Sequence, residues 1–161
     1  MIFITLGTQF CDFSRCLKMM DEVLLRYDVK EDIIAQTGYT SYQLEKAKCF
    51  KFVSEKEYQG YIDSASIIVS HAGTGALSSA IKKGKKIIAV ARLSKYNEMV
   101  NDHQMEIVKK LSSEGYILDG TYSILNVWEK LDSFIPKKSD FICHIPERIE
   151  EILNTWGINN I

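Results

Sequence analysis

Ile67-Ile68-Val69-Ser70-His71-Ala72-Gly73-Thr74-Gly75-Ala76-Leu77 is the stretch that decides the fold. A β-branched run ends in a small, polar, glycine-rich turn, and Ala76, Leu77, Ala80 and Ile81 then recur at helical spacing. The spacing therefore predicts a strand, a tight turn and a helix. Gly73 and Gly75 carry no Cβ, so the backbone there can pass close to a bound group. The amides of Thr74, Gly75 and Ala76 would point out of a helix N-terminus, where the partial positive charge favours an anion. The stretch predicts a phosphate-bearing ligand, with His71 at the lip as a hydrogen-bond donor to it. A generic strand-to-helix turn with a structural histidine is the alternative reading of the same residues.

Outward toward the N-terminus, Ile2 to Leu6 reads as a buried strand stopped by Gly7-Thr8. Phe13, Leu17, Met20, Leu24 and Tyr27 give an amphipathic helix. Asp32 to Gln36 is a second strand closed by Thr37-Gly38, and Cys49 to Val53 a third. Ser54 and Glu57 form a capping-box signature that opens a helix running to about Ser64. Outward toward the C-terminus, Gly84 ends the helix begun at the turn, and Lys86 to Ala91 is a fifth strand. A polar loop from Arg92 to Asn101, with Arg92, Lys95 and Glu98 as ordinary surface, precedes a helix that buries Val100, Ile107, Val108 and Leu111. After Gly115 come a short strand, Tyr116 to Leu118, and a helix with Ile124, Val127, Trp128 and Leu131 inward. A last helix carries Ile145, Ile149, Ile152, Leu153 and Trp156 on one side.

Strands alternating with helices predict an α/β fold: a mostly parallel, Rossmann-like sheet flanked by helices. Such sheets bind ligands at the carboxyl ends of their strands. The loops that would open there are Gly7–Gln9, Gln36–Tyr39, Val53–Glu55, His71–Gly75 and Arg92–Gln104.

The 161 residues suit one domain; 46% hydrophobic and 25% charged residues are ordinary for a globular chain. A net charge of −1 gives no reason to expect nucleic acid. Cys11, Cys16, Cys49 and Cys143 lie far apart and read as reduced thiols in a cytoplasmic protein. The first residues lack the basic region of a signal peptide. No apolar run approaches the about 20 residues that span a bilayer. The dinucleotide fingerprint fails because Ser78 stands where its third glycine belongs, and no Walker pattern occurs. No histidine, cysteine or acidic cluster suggests a metal, and no Ser-His-Asp spacing suggests a hydrolase. His144 reads as solvent-facing. Asn101-Asp102-His103-Gln104 is either a helix cap or a hydroxyl-binding cluster. Lys82, Lys83, Lys85 and Lys86 are either a solvated helix end or a contact for an anionic group.

Several of these pieces together resemble the C-terminal domain of family 28 glycosyltransferases: Ile4-Thr5-Leu6-Gly7-Thr8, Ala35-Gln36-Thr37-Gly38-Tyr39, Ser70-His71-Ala72-Gly73-Thr74-Gly75, Gly84 to Val90, Arg92 with Lys95-Tyr96, and Asp102-His103-Gln104. They run in register over roughly residues 1 to 118. The nearest resemblance is to stand-alone donor-binding subunits of two-component enzymes. These include the dolichol-pathway N-acetylglucosaminyltransferase and bacterial glucosyl- or galactosyltransferases of capsule and exopolysaccharide synthesis.

The resemblance implies the nucleotide-sugar half of a GT-B enzyme over residues 1–139, with 140–161 as a helix packed on it or docked on a partner. It implies UDP-glucose or UDP-galactose as donor substrate, no cofactor and no metal, and a lipid-linked saccharide as acceptor. A membrane-anchored partner subunit would hold that acceptor, placing this chain at the inner face of the membrane. By the same resemblance His71, Gly73, Thr74 and Gly75 bind the diphosphate, Gly7 and Thr8 line the cleft, and the backbone of Phe52 and Val53 reads the uracil. His103 and Gln104 touch the transferred sugar, and Arg92 belongs to the same set. Two departures stand out. Ser79 occupies the register of a ribose-binding glutamate, leaving the ribose to Ser78 or Ser79, and Ala91 replaces a usual proline. No carboxylate is placed for the general base, which is left to the partner. A non-catalytic, stabilising subunit is the alternative, and a phosphosugar-binding or epimerase-like protein a weaker one.

Overall fold

A computed structural model describes residues 1–138. The expected last helix, with Cys143 and His144, lies outside the described residues. Among the described residues the six strands are β1 (Ile2–Thr5), β2 (Ile33–Gln36), β3 (Ala47–Phe50), β4 (Ile67–His71), β5 (Lys86–Val90) and β6 (Leu118–Asp119). They form one sheet in the order β3-β2-β1-β4-β5-β6, and every pair is parallel. The helices are α1 (Ser14–Arg26), α2 (Glu55–Ser64), α3 (Thr74–Lys82), α4 (His103–Ser113) and the single turn α5 (Leu125–Trp128).

Alternation along each strand builds a core on both faces. Ile2, Ile4, Val69, Ile88 and Val90 pack with Leu17, Met20 and Val23 of α1 and with Val127 of α5. Phe3, Ile68, Ile87 and Ala89 point the other way, onto Ile62 of α2, Leu77 and Ile81 of α3, and Val108 of α4. Each fully buried Ile or Phe contributes roughly 1.5–3 kcal/mol. Cys16 lies in the first layer with no exposed surface, and burial pushes its thiol up to about 12. The capping box on α2 forms as expected: Ser54 Oγ accepts from the Glu57 amide, and Glu57 accepts from the Ser54 amide.

Several elements depart from expectation, each for a local reason. The third strand ends at Phe50 and not at Val53. Thr37 and Gly38 donate to Phe50 O and Lys51 O, after which Phe52 and Val53 swing free of the sheet. The sixth strand starts at Leu118 because the chain is still turning after Gly115, at φ +82°. Val100 is 94% exposed, since α4 begins only at His103. The lysine run closes helix ends: Lys83 pairs with Asp63, and Lys85 donates to Asp63 O and Ala65 O at the C-terminus of α2. Lys86 donates to Leu131 O. Cations at a helix C-terminus complement its partial negative charge.

Arg92 and Glu98 are not surface residues; they are 1% and 3% exposed. Arg92 donates to Leu6 O at 2.8 Å, Cys11 O at 2.9 Å and Glu98 O at 3.3 Å, with its guanidinium 4.5 Å from the Phe13 ring centroid. The Glu98 carboxylate takes both Arg15 and the Leu93 amide. The loop after β5 is thus tied down to the loop after β1.

Candidate functional site

The sheet order reverses direction between β1 and β4, the place where parallel sheets open a crevice at their carboxyl edge. A cavity of about 440 Å³ lies there, in the range of small-molecule sites. Four of the five expected loops contribute to it; Arg92–Gln104 does not.

His71 is one of its lining residues. Its ring is held between two glycines: a Cβ on Gly7 would lie 2.5 Å from Nε2, and one on Gly73 only 2.3 Å. Gly7 has φ +77°, and a Cβ on Gly38, at φ +59°, would lie 2.5 Å from Gly7 O. Three loops are therefore interlocked at positions where only glycine fits. Gly73 is the N-cap residue of α3 and no side chain caps that helix, so its first amides face the cavity without a side-chain partner. A Cβ on Gly75 meets nothing within 4 Å.

His71 Nδ1 lies 3.2 Å from Thr5 O, which assigns the proton to Nδ1 and leaves Nε2 as an acceptor in the neutral ring. Burial lowers the His71 pKa from 6.5 to about 4; the Thr5 carbonyl opposes this and the Arg92 guanidinium adds to it. The expected hydrogen bond from Nε2 to an anion therefore requires the ring to take up a proton on binding.

The unfolded chain takes up that proton near pH 6.5 and the folded chain only near pH 4. Stability from the neutral ring is therefore full above pH 6.5 and is lost as the pH falls toward 4, by about 3 kcal/mol across the window. Urea unfolding at pH 7 and pH 4.5 should show His71→Gln losing about 2–3 kcal/mol less than wild type. An equal loss in both would show that His71 titrates normally.

Of the expected site residues, Gly7, Thr8, Phe52, Val53, His71, Gly73 and Gly75 line this cavity. The others are dispersed. Thr74 and Ser78 face an apolar groove with Leu77, Ile81, Ile107 and Leu111, on the other side of α3. Ser79 Oγ donates to Gln59 Oε1 at 3.0 Å. Gln104 is 6% exposed and accepts the Arg92 amide at 3.0 Å, so it holds the loop after β5. His103 is exposed beside Glu106 and outside the cavity. Arg92 serves the buried network and does not line the cavity. Asp102 caps no helix amide; it accepts from Ser94.

Six further residues line it: Gln36 and Glu55 on two of the expected loops, Ala76 at the expected helix N-terminus, and Thr5, Tyr58 and Gln59, which were not expected. A signal for three of them existed. Glu55, Tyr58 and Gln59 follow the capping box at i, i+3 and i+4, which puts them on one helical face.

A six-stranded parallel sheet with helices on both faces and a cavity at its switch point defines a Rossmann-like domain, matching the C-terminal half of a GT-B glycosyltransferase. The chain belongs to the family described as the glycosyltransferase family 28 C-terminal domain, whose model matches residues 1–142. It is similar to the human UDP-N-acetylglucosamine transferase subunit ALG13, 26% identical over 131 residues, which is 77% of this chain and 11% of that protein. The Candida glabrata protein of the same name is 24% identical over 134 residues, covering 80% and 64% respectively. The chain thus spans about a tenth of the human relative's length and under two thirds of the yeast one's.

Among solved structures, the NMR solution structure of ALG13 superposes with a TM-score of 0.57 at 18% identity, covering 85% of this chain and 87% of that one. The crystal structure of the glycosyltransferase SnogD from Streptomyces nogalater gives 0.50 at 15% identity, covering 84% and 40%. These two likenesses concern the fold.

Proposed function

We propose that this chain is the donor-binding half of a two-chain, inverting glycosyltransferase. It takes a UDP-hexose, glucose or galactose, and works with a membrane-associated partner that holds a lipid-linked acceptor in capsular or exopolysaccharide synthesis. The observation that carries this reading is the uncapped N-terminus of α3 facing the cavity, beside a histidine locked between glycines. Charge develops on the diphosphate as the sugar leaves, and preorganised amides stabilise it most where water is scarce. His71, once protonated, adds a charge-assisted hydrogen bond.

The free ends of the Phe52 and Val53 backbone suit the edge of a flat base. Phe10, Tyr39 and Phe52 form an exposed aromatic rim, with centroids 4.6 and 5.4 Å apart, 80%, 45% and 45% exposed. Contiguous exposed aromatics of this kind suit contact with a second domain. The general base is assigned to the partner. The relatives' name favours N-acetylglucosamine as a second reading of the sugar.

Calorimetry with UDP tests the donor reading. Wild type should bind, and Gly75→Asp should lose at least about 100-fold in affinity, because a carboxylate would enter the anion position. Its stability should change by no more than about 0.5 kcal/mol, since the new side chain meets open space. A wild-type protein that binds no UDP overturns the proposal. Competition among UDP-glucose, UDP-galactose and UDP-N-acetylglucosamine then names the sugar.

A further inference from the structure

A ribose presents two neighbouring hydroxyls, and the group that best receives both is a carboxylate, which only accepts and has two oxygens. The helix after the turn has none to offer: Ser79 hydrogen-bonds to Gln59, and Ser78 faces the apolar groove on the other side. Across the cavity the first turn of α2 does offer one. Glu55 lines the cavity with Tyr58 and Gln59, directly after the Phe52–Val53 loop.

Its placement is built in from both helices. Gln59 Nε2 donates to Glu55 Oε1 at 2.8 Å. Gln59 Oε1 in turn accepts from Ser79 Oγ at 3.0 Å and Lys83 Nζ at 3.2 Å. An exposed glutamate loses rotamer entropy when it binds, and a partner that holds it beforehand reduces that cost. A serine at position 79 anchors this arrangement because its short hydroxyl reaches Gln59.

Resting on the donor reading above, we infer that Glu55 receives the ribose hydroxyls of the bound nucleotide. Gln59, with Ser79 and Lys83 behind it, is the positioning residue. Ser79 supports the acceptor through Gln59.

Calorimetry with UDP, 2′-deoxy-UDP and inorganic pyrophosphate separates the possibilities. Wild type should prefer UDP to 2′-deoxy-UDP by about 10-fold, the scale of one hydrogen bond to a charged group. Glu55→Ala should bind the two equally while its affinity for pyrophosphate does not fall. Ser79→Ala should retain only part of the preference. Persistence of the full wild-type preference in Glu55→Ala, or no preference in wild type, overturns the assignment while leaving UDP binding intact. Absence of UDP binding by wild type is a different result: it brings down the donor reading and this one together.

Discussion

Gly73→Ala is expected to lose UDP binding by at least about 100-fold and to destabilise the fold by about 1–3 kcal/mol. The backbone is not the obstacle, because Gly73 has φ −74°, open to any residue. The obstacle is the His71 ring, whose Nε2 would lie 2.3 Å from the new methyl. The ring has little room to retreat: the Gly7 backbone is so near that a Cβ there would lie 2.5 Å from Nε2, and the hydrogen bond to Thr5 O holds Nδ1. Relief must come from moving the turn, which misaims the amides of α3.

A double-mutant cycle isolates this cause. His71→Ala vacates the ring, so adding Gly73→Ala to it should cost under about 0.5 kcal/mol, leaving a coupling energy near the whole single-mutant penalty. UDP binding should stay weak in the double mutant, since the ring is gone. Urea unfolding reads the stabilities. A Gly73→Ala protein as stable as wild type would show that the ring is not confined.

Arg92→Ala should cost about 3–5 kcal/mol, read by urea unfolding. Its loss would strip the donor from Leu6 O, Cys11 O and Glu98 O inside a site that is 1% exposed, and leave a void against Phe13. Buried acceptors without donors cost about 1–3 kcal/mol each. Lysine keeps the charge but not the planar fork that spans three carbonyls, so Arg92→Lys should recover only part of the loss. A cost under 1 kcal/mol for Arg92→Ala would refute the scaffold role. The lysine variant also decides between scaffold and ligand contact. A folded Arg92→Lys protein should bind UDP within a few-fold of wild type, whereas direct contact with the donor would show as a large loss at unchanged stability.

Much of the fold was legible because its signals are local. The β-branched runs, the helical periods, Gly84 and Gly115 past the helix ends, and the Ser54–Glu57 box each constrain only a few neighbouring residues. Boundaries slipped where hydrogen bonding across the sheet decided them, as at Phe50 and Leu118. The candidate site was legible in part. Glycines 7, 73 and 75 with His71 announced themselves, since glycine at a strand end has few other reasons to recur.

The order of strands and helices, the sharp turn after β4 and the run of small residues opening α3 were determined by the sequence alone, because they depend on conformational preference and side-chain period. Only the tertiary structure decided which polar groups face the cavity. Arg92 sits in a polar loop and Gln104 in the first turn of α4, positions the sequence assigns to the surface or to a ligand, yet three carbonyls and an amide made burial favourable. Glu55 and Gln59 became cavity residues because β3 releases the chain at Phe50, which swings the first turn of α2 over the end of the sheet. Ser79 turned toward Gln59 for the same reason: which side of a helix meets a neighbour is a property of packing, and no local period encodes it.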